Sequence, residues 1–434
     1  MGAVATAAPD LGTGVAALRR LAEDVERRVL SLPARASRTA EQDRAARDAL
    51  AALGTSRRLL LDRHAGTLYA TLTAGRTLRP RLDELVGAAQ RDLPGLVPSE
   101  QALDADRRLP LGVRDGWEID LGLFFGAILG DAVAGGHLLD TMRAPSPHAL
   151  RLLDGFRATG VGELSTVSLA RRDGVTELTV HNQHCLNAED EALVHDMETA
   201  VDLVLLDDAS RVGVLRGAPM HHPRYRGRRV FSAGLNLVDL REGRITLVGF
   251  LLRRELTYLC KIMHGLRTGA ATTVQKPWVA AVDSFAIGGG AQLLLVFDHV
   301  IAADNAYLSL PAAQEGIVPG VANLRLTRAV GTRLARQLLL SGRRIAAIEP
   351  AAALLIDTVV PADAMDAAVA SAARNLDAAA VLANRRMLHL AEEPFDLLRR
   401  YLSEFAVVQA ERLYSADVLA KLDGAGPGRR RTSG

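Results

Sequence analysis

Cysteine is almost missing: Cys185 and Cys260 are the two thiols in 434 residues. On that count neither a disulfide framework nor a cysteine-based metal site is expected, and it suits a reducing cytoplasm. Excess charge is missing as well. The 52 Lys and Arg nearly cancel the 50 Asp and Glu, leaving a formal net charge of +2, so bulk electrostatics give no case for a nucleic-acid partner. Long apolar runs are absent too; Leu121 to Gly130 is short and interrupted by glycine, and Met1 to Gly14 lacks the charged-then-apolar order of a signal segment. The expectation is a cytoplasmic protein that neither spans nor binds a membrane. There is no fixed-period repeat and no 2-His-1-carboxylate signature. His181 and His184 form an H-x-x-H, but strand periodicity would set them on opposite faces, against a metal site.

What is present is 49% hydrophobic and 24% charged residues, enough for a large core. Val15, Leu18, Leu21, Val25 and Val29 recur at helical spacing, and similar patterns cover Ala40 to Leu53, Arg57 to Leu72, Leu82 to Ala89 and Leu121 to Leu139. The period changes near Gly155 to Gly162. Leu164 to Leu169 and Val175 to Val180 read as strands joined through Asp173-Gly174, a hairpin signal. Strands and helices then alternate: helix from Ala188 to Leu206, strand Val212 to Leu215, helix Ile245 to Leu266, strand Trp278 to Val282, helix Gln292 to Phe297 and strand His299 to Ala303. Asp366 to Leu390 and Phe395 to Leu422 are helical again, and the basic tail from Gly424 is expected to be disordered. The predicted division is an N-terminal helical domain over 1–159, an α/β core over 160–366, and a C-terminal helical region with its tail over 367–434.

Two glycine turns organise the core: Ser232-Ala233-Gly234-Leu235-Asn236-Leu237 and Ile287-Gly288-Gly289-Gly290-Ala291-Gln292. Each follows a strand, and the second opens a helix. Glycine there lets a backbone N–H come close to a ligand, and the helix dipole adds partial positive charge. If the fold brings the turns together, two N–H groups converge on one oxygen, as in a site for an enolate or tetrahedral oxyanion, where one donor is worth about 2.7–4 kcal/mol. The competing reading is that both clusters merely permit tight turns. Neither turn contains G-x-G-x-x-G or G-K-[ST], so a nucleotide site is disfavoured.

Five ordered segments carry a resemblance: Asn187-Ala188 before a helix, Phe231 to Leu237, Lys276 to Val282 followed by Gly288-Gly289-Gly290, Gly316-Ile317-Val318-Pro319-Gly320, and Leu340 to Ile345 running on to Val359-Val360. In this order they resemble the crotonase (enoyl-CoA hydratase/isomerase) superfamily over roughly residues 160 to 390. The resemblance implies an α/β crotonase-like core, a spiral of ββα units flanked here by N-terminal and C-terminal helices, in a homo-oligomer of trimers or paired trimers. It implies an oxyanion hole for an acyl-CoA carbonyl made by the backbone N–H groups of Leu235 and Gly289, with Gly234, Gly288 and Gly290 shaping the turns. The sequence departs from the hydratases in two places: Gln292 stands where they carry a glutamate, and Ala312 follows Pro311 where they carry another. Hydration needs a general acid and base at one water, and neither position titrates.

The long N-terminal unit, the insert His221 to Arg229 and Gln292 make the chain similar, within that superfamily, to its cofactor-free dioxygenases of arylacetyl-CoA thioesters. This implies an acyl-CoA and O2 as partners, with CoA part of the substrate and no metal, flavin or haem. Glu189 and Arg254 are the candidates for holding ring hydroxyls, since a buried arginine needs a partner; the alternative is that Arg253, Arg254 and Glu255 form surface charge. Gln292 would orient a group without protonating it. His222 is the candidate α-proton base. Arg224, Arg226, Arg228, Arg229 and Lys276 are candidates for the CoA phosphates, and Leu237, Phe231, Phe250 and Ile317 for apolar walls. A thioesterase on the same fold and a non-catalytic binding protein are the rival readings.

Overall fold

Helices fill the chain as far as Thr159, spanning Leu11–Leu30, Ala40–Leu72, Leu82–Asp92, Glu100–Arg107, Glu118–Gly130, Ala132–Met142 and Pro147–Thr159. They belong to a computed structural model that describes residues 11–269 and 272–424; the expectations for residues 1–10 and for the tail 425–434 lie outside the described residues. Two predicted helices are one, Ala40–Leu72, begun by a capping box in which the Thr39 hydroxyl accepts from the Gln42 amide. The intervening Gly54-Thr55-Ser56 does not break it, because Arg57 one turn on is buried and bonded to Asp120 at 2.6 Å. The predicted run Leu121 to Leu139 divides at Asp131, whose carboxylate caps the second helix through the Val133 and Ala134 amides. Among the described residues, no single helix is long and apolar enough to cross a membrane.

Strands begin at Val161. In chain order they are β1 (Val161–Glu163), β2 (Val167–Arg172), β3 (Val175–Val180), β4 (Val212–Gly217), β5 (Leu266–Arg267), β6 (Thr273–Val274), β7 (Trp278–Val282), β8 (Phe285–Ile287), β9 (His299–Ala303), β10 (Tyr307–Ser309), β11 (Arg344–Ala346) and β12 (Thr358–Val360). The main sheet runs β1-β2-β3-β4-β7-β9-β12. It is antiparallel through β3 and parallel from there on. The predicted Asp-Gly hairpin is present, with Asp173 (φ 51°) and Gly174 (φ 84°) both left-handed, as a two-residue turn between right-twisted strands requires.

A second sheet, β11-β10-β8, stands beside the first. β7 and β8 lead into the helix Gly289–Leu293, and β9 and β10 into Ala312–Glu315. That repetition of two strands and a helix places the second glycine turn at the end of β8. The C-terminal helices close back on the N-terminal unit. A Cβ on Gly122 would lie 2.5 Å from Ala410 Cβ and 2.7 Å from the Ala406 carbonyl, so Glu118–Gly130 and Phe395–Leu413 meet almost backbone to backbone.

The predicted helix Ile245 to Leu266 is not a plain α-helix. It opens with π turns over Leu247–Leu252 and Glu255–Leu259 before an α turn at Cys260–His264. Periodicity cannot show an extra residue per turn, and such bulges gather at functional sites. This helix is fastened to Glu191–Leu206 by Lys261, fully buried, whose Nζ donates to Glu198 at 2.9 Å and Asp202 at 2.7 Å. Replacing Lys261 with Ala leaves buried Asp202 with the Ser146 amide and no cation, while Glu198 keeps Arg81 and Arg253, and is expected to cost about 3–5 kcal/mol; chemical denaturation at neutral pH measures it, and a loss near zero would show that solvent reaches Asp202.

Candidate active site

The two glycine turns are hydrogen-bonded to each other. Ile287 N donates to Ser232 O at 3.0 Å, and Ser232 N to Phe285 O at 3.4 Å. Gly234 (φ 94°) is left-handed, and a Cβ built on it would sit 3.0 Å from Ile287 O and 3.5 Å from Gly288 Cα. A side chain on Gly288 would come 3.9 Å from the Leu235 nitrogen. Gly290 is required for the same closeness, since its Cβ would lie 2.4 Å from that of Ser232. The neighbouring amides are used: Ala233 N donates to Leu186 O, Asn236 N to Glu189 O, Gly288 N to Ser309 O, and Gln292 N to Gly288 O. Among the described residues the amides of Leu235 and Gly289 have no acceptor.

Beside the turns lies a buried ion cluster. Arg254 donates from Nε to Glu189 Oε1 at 3.0 Å, from Nη1 to Glu255 Oε1 at 2.7 Å and from Nη2 to the Gly289 carbonyl at 2.9 Å. The Tyr258 hydroxyl, one helical turn on, donates to Glu189 Oε1 at 2.8 Å. Burial opposes the Arg254 charge, but Glu189, Tyr258 and Glu255 hold its pKa above the usual value. Burial likewise pushes the Tyr258 pKa well up, so this hydroxyl keeps its proton and serves as a donor. Glu189 Oε2 has no partner among the described residues, and it lies 1.8 Å from where a Gly289 Cβ would be.

Gln292 is 3% exposed and gives its Nε2 to Glu255 Oε1 at 2.8 Å. Gly320 (φ 48°) closes this side, its Cβ position 2.0 Å from Glu255 Oε1 and 2.3 Å from Gln292 Nε2, and its carbonyl accepts from the Tyr401 hydroxyl.

Residues 170–400 match the enoyl-CoA hydratase/isomerase family. The chain is 55% identical over 417 residues to the (3,5-dihydroxyphenyl)acetyl-CoA 1,2-dioxygenase of Amycolatopsis orientalis, covering 95% of this chain and 96% of that protein. The chain belongs to the enoyl-CoA hydratase/isomerase family. It is also 29% identical over 201 residues to the 2,3-dehydroadipyl-CoA hydratase of Escherichia coli K12, covering 46% of this chain and 71% of that one. The solved enoyl-CoA hydratase/isomerase of Xanthobacter autotrophicus Py2 shares the fold at a TM-score of 0.52 and 24% identity, over 61% of this chain and 93% of that one.

Within an enoyl-CoA hydratase/isomerase fold, the placement corrects several expectations. Arg253, Arg254 and Glu255 are not surface charge; all three are buried. Gln292 is engaged by a protein carboxylate, which leaves its Oε1 without a partner among the described residues. Nor is the site free of acids. Neutral Gln292 and Ala312 fill the two family positions, yet Glu189 and Glu255 stand close by, both bonded to Arg254. Lys276 is unavailable to a phosphate: buried, it donates to the Val204 and Asp207 carbonyls at 2.6 and 2.5 Å, closing the end of Glu191–Leu206. Burial brings its pKa down to about 8.

His222 and Arg224 sit on an exposed turn. His222 Nδ1 accepts the Arg224 amide at 3.3 Å, and the Arg224 guanidinium lies over Tyr225. Among the described residues neither has a hydrogen bond or ion pair to the glycine turns or the Arg254 cluster. Phe231 and Phe250 are buried, and Leu237 and Ile317 half-buried. His181 and His184 lie beyond β3 rather than on it; His181 approaches Glu163 and His184 approaches Asp190. Sequence reasoning gave no site role to Glu255 or Gly320 and did not single out Tyr258, although Tyr258 is four residues from Arg254 and therefore on its face. Glu255→Ala is expected to cost about 3–5 kcal/mol by leaving Arg254 and Gln292 short of an acceptor. Urea denaturation checks this, with Glu255→Gln expected to recover part of the loss; an unaffected alanine variant would contradict the cluster's importance.

Proposed function

We propose that the chain is a cofactor-free dioxygenase converting (3,5-dihydroxyphenyl)acetyl-CoA and O2 to 3,5-dihydroxyphenylglyoxylate and CoA. One observation carries the reading: two mutually bonded glycine turns with unengaged Leu235 and Gly289 amides adjoin a buried Arg254–Glu189 pair, in a family site whose two usual acid positions are neutral. The near-full-length relative bearing the dioxygenase name supports the same choice of substrate.

The thioester carbonyl oxygen takes the Leu235 and Gly289 N–H groups. Loss of an α-proton then gives an enolate whose charge those amides stabilise, each by about 2.7–4 kcal/mol. The open oxygen of Glu189, steadied by Arg254 and Tyr258, accepts a phenolic hydroxyl and fixes the electron-rich ring. Triplet O2 reacts poorly with closed-shell molecules, but this carbanion, spread over thioester and ring, can give it one electron. The resulting radicals join as a peroxide at the α-carbon. Attack of the distal oxygen on the thioester carbonyl expels CoA, and O–O cleavage with loss of the second α-hydrogen leaves the α-keto acid. Both oxygen atoms enter the product.

The neutral family positions suit this sequence, because a carboxylic acid over the carbanion would return its proton before oxygen arrived. Homo-oligomeric assembly, as trimers or pairs of trimers, accompanies this reading; Met387, Leu388 and Leu390 on the helix Ala379–Glu392 are 63%, 57% and 62% exposed, an apolar face that a second copy would cover. Arg224, Arg226 and Arg228, exposed on their loop, are the cationic candidates for the CoA phosphates.

An oxygen electrode with chelator-treated protein tests the reaction. Oxygen uptake equal to CoA release is expected, whereas CoA release without oxygen, giving the plain arylacetate, would make the chain a thioesterase. Gln292→Glu sets a second carboxyl against Glu255, and two carboxyls that close share a proton. Exchange of the α-hydrogen with deuterated solvent should then rise relative to oxygen uptake; an unchanged ratio would contradict the role given to residue 292. Arg254→Ala should weaken the dihydroxylated substrate more than the unsubstituted phenylacetyl thioester, and equal losses would remove Arg254 from the ring site.

A further inference from the structure

Between β3 and the helix Glu191–Leu206 the chain folds back through two successive left-handed residues, Leu186 (φ 57°) and Asn187 (φ 56°). The fold-back gathers His184, Cys185 and Asp190, whose ligand atoms all lie within 4.8 Å of one another. His184 Nε2 is 3.7 Å from Asp190 Oδ2. We propose that these three side chains form a binding site for one zinc-class divalent transition-metal ion, with solvent as the fourth ligand, separate from the Arg254 cluster.

The donor set suits such an ion. Thiolate, imidazole and carboxylate are the ligands of borderline metals in tetrahedral sites, where bonds of about 2.0–2.3 Å set two donors about 3.3–3.8 Å apart. The His184–Asp190 separation is already in that range, and a closing movement of about 1 Å brings the widest separation into it; His184 stands on the exposed side of the group. The charges balance: a thiolate and a carboxylate neutralise the dication, and the Cys185 proton passes to solvent without any redox change.

Giving up that proton orphans nothing. The Cys185 thiol donates weakly to Ala188 O at 3.4 Å and Asn182 O at 3.7 Å. Each carbonyl has another donor, Asn182 Nδ2 at 3.2 Å for the first and Asn187 N at 3.0 Å for the second. Asp190 is already oriented as a ligand would be, with Oδ2 held by Asn182 Nδ2 at 2.9 Å and Oδ1 by the Leu193 amide at 2.9 Å. An ion here would also brace the ground beneath the first glycine turn, because Leu186 O accepts the Ala233 amide and Asn187 Nδ2 holds Val230 O.

Cobalt(II) titrated into tag-free, metal-stripped full-length protein tests the site. One equivalent per chain should bind, with the strong near-ultraviolet thiolate-to-cobalt absorption and the visible bands of a tetrahedral centre, and zinc should displace it. Cys185→Ser should abolish the near-ultraviolet band, since Cys260 is wholly buried. His184→Ala, at an exposed position, should weaken binding by at least about 10-fold, as lost ligation does. Absence of the thiolate band, or its persistence in Cys185→Ser, would overturn the proposal.

Discussion

The site depends on one close approach, that of the Gly234 turn to the Gly288 turn. Their backbones bridge through Ser232 and Ile287, and a Cβ on Gly234 would touch the Ile287 carbonyl at 3.0 Å. A side chain at 290 would drive the segments apart, and left-handed positions at 234 and 288 are costly for any other residue. What the approach secures is a pair of neighbouring amides left open while those around them are engaged. The two sheets supply the frame: the first turn follows β4, paired in parallel with β7, after the loop 218–231, and the second turn ends β8, paired in parallel with β10.

Around that pair, charge has been moved rather than removed. The two family positions for acids hold Gln292 and Ala312, yet Glu189 and Glu255 sit within the same small volume, tied to Arg254. A guanidinium that serves two carboxylates and the Gly289 carbonyl links Glu189 to the second glycine turn through one planar group. Here the carboxylates are acceptors with assigned donors rather than loose acids, which is compatible with a carbanion that must outlast its reprotonation.

Much of this could be read from the amino acids. The glycine clusters marked the two turns that the fold pairs, the Asp173-Gly174 turn fixed a hairpin, and the change from helical to alternating periods near Gly160 marked where the strands begin. Other features were not legible, for identifiable reasons. Gly54 suggested a break that buried Arg57 overrides, a tertiary effect beyond local propensity. The π turns over Leu247–Leu252 and Glu255–Leu259 leave no mark in the apolar pattern of Ile245 to Leu266, so the spacing of Arg254 and Tyr258 was the one readable sign of the cluster. Lys276 looked like a phosphate ligand because its charge is visible in the sequence, whereas the carbonyls of Val204 and Asp207 that occupy it are not.

A crystal structure with a CoA amide analogue of (3,5-dihydroxyphenyl)acetyl-CoA, which keeps the carbonyl oxygen but resists turnover, tests the central claim most directly. That oxygen should lie about 2.7–3.1 Å from both the Leu235 and Gly289 nitrogens, with a ring hydroxyl against Glu189. A carbonyl oxygen more than about 4 Å from either nitrogen, well outside hydrogen-bond range, would contradict the account.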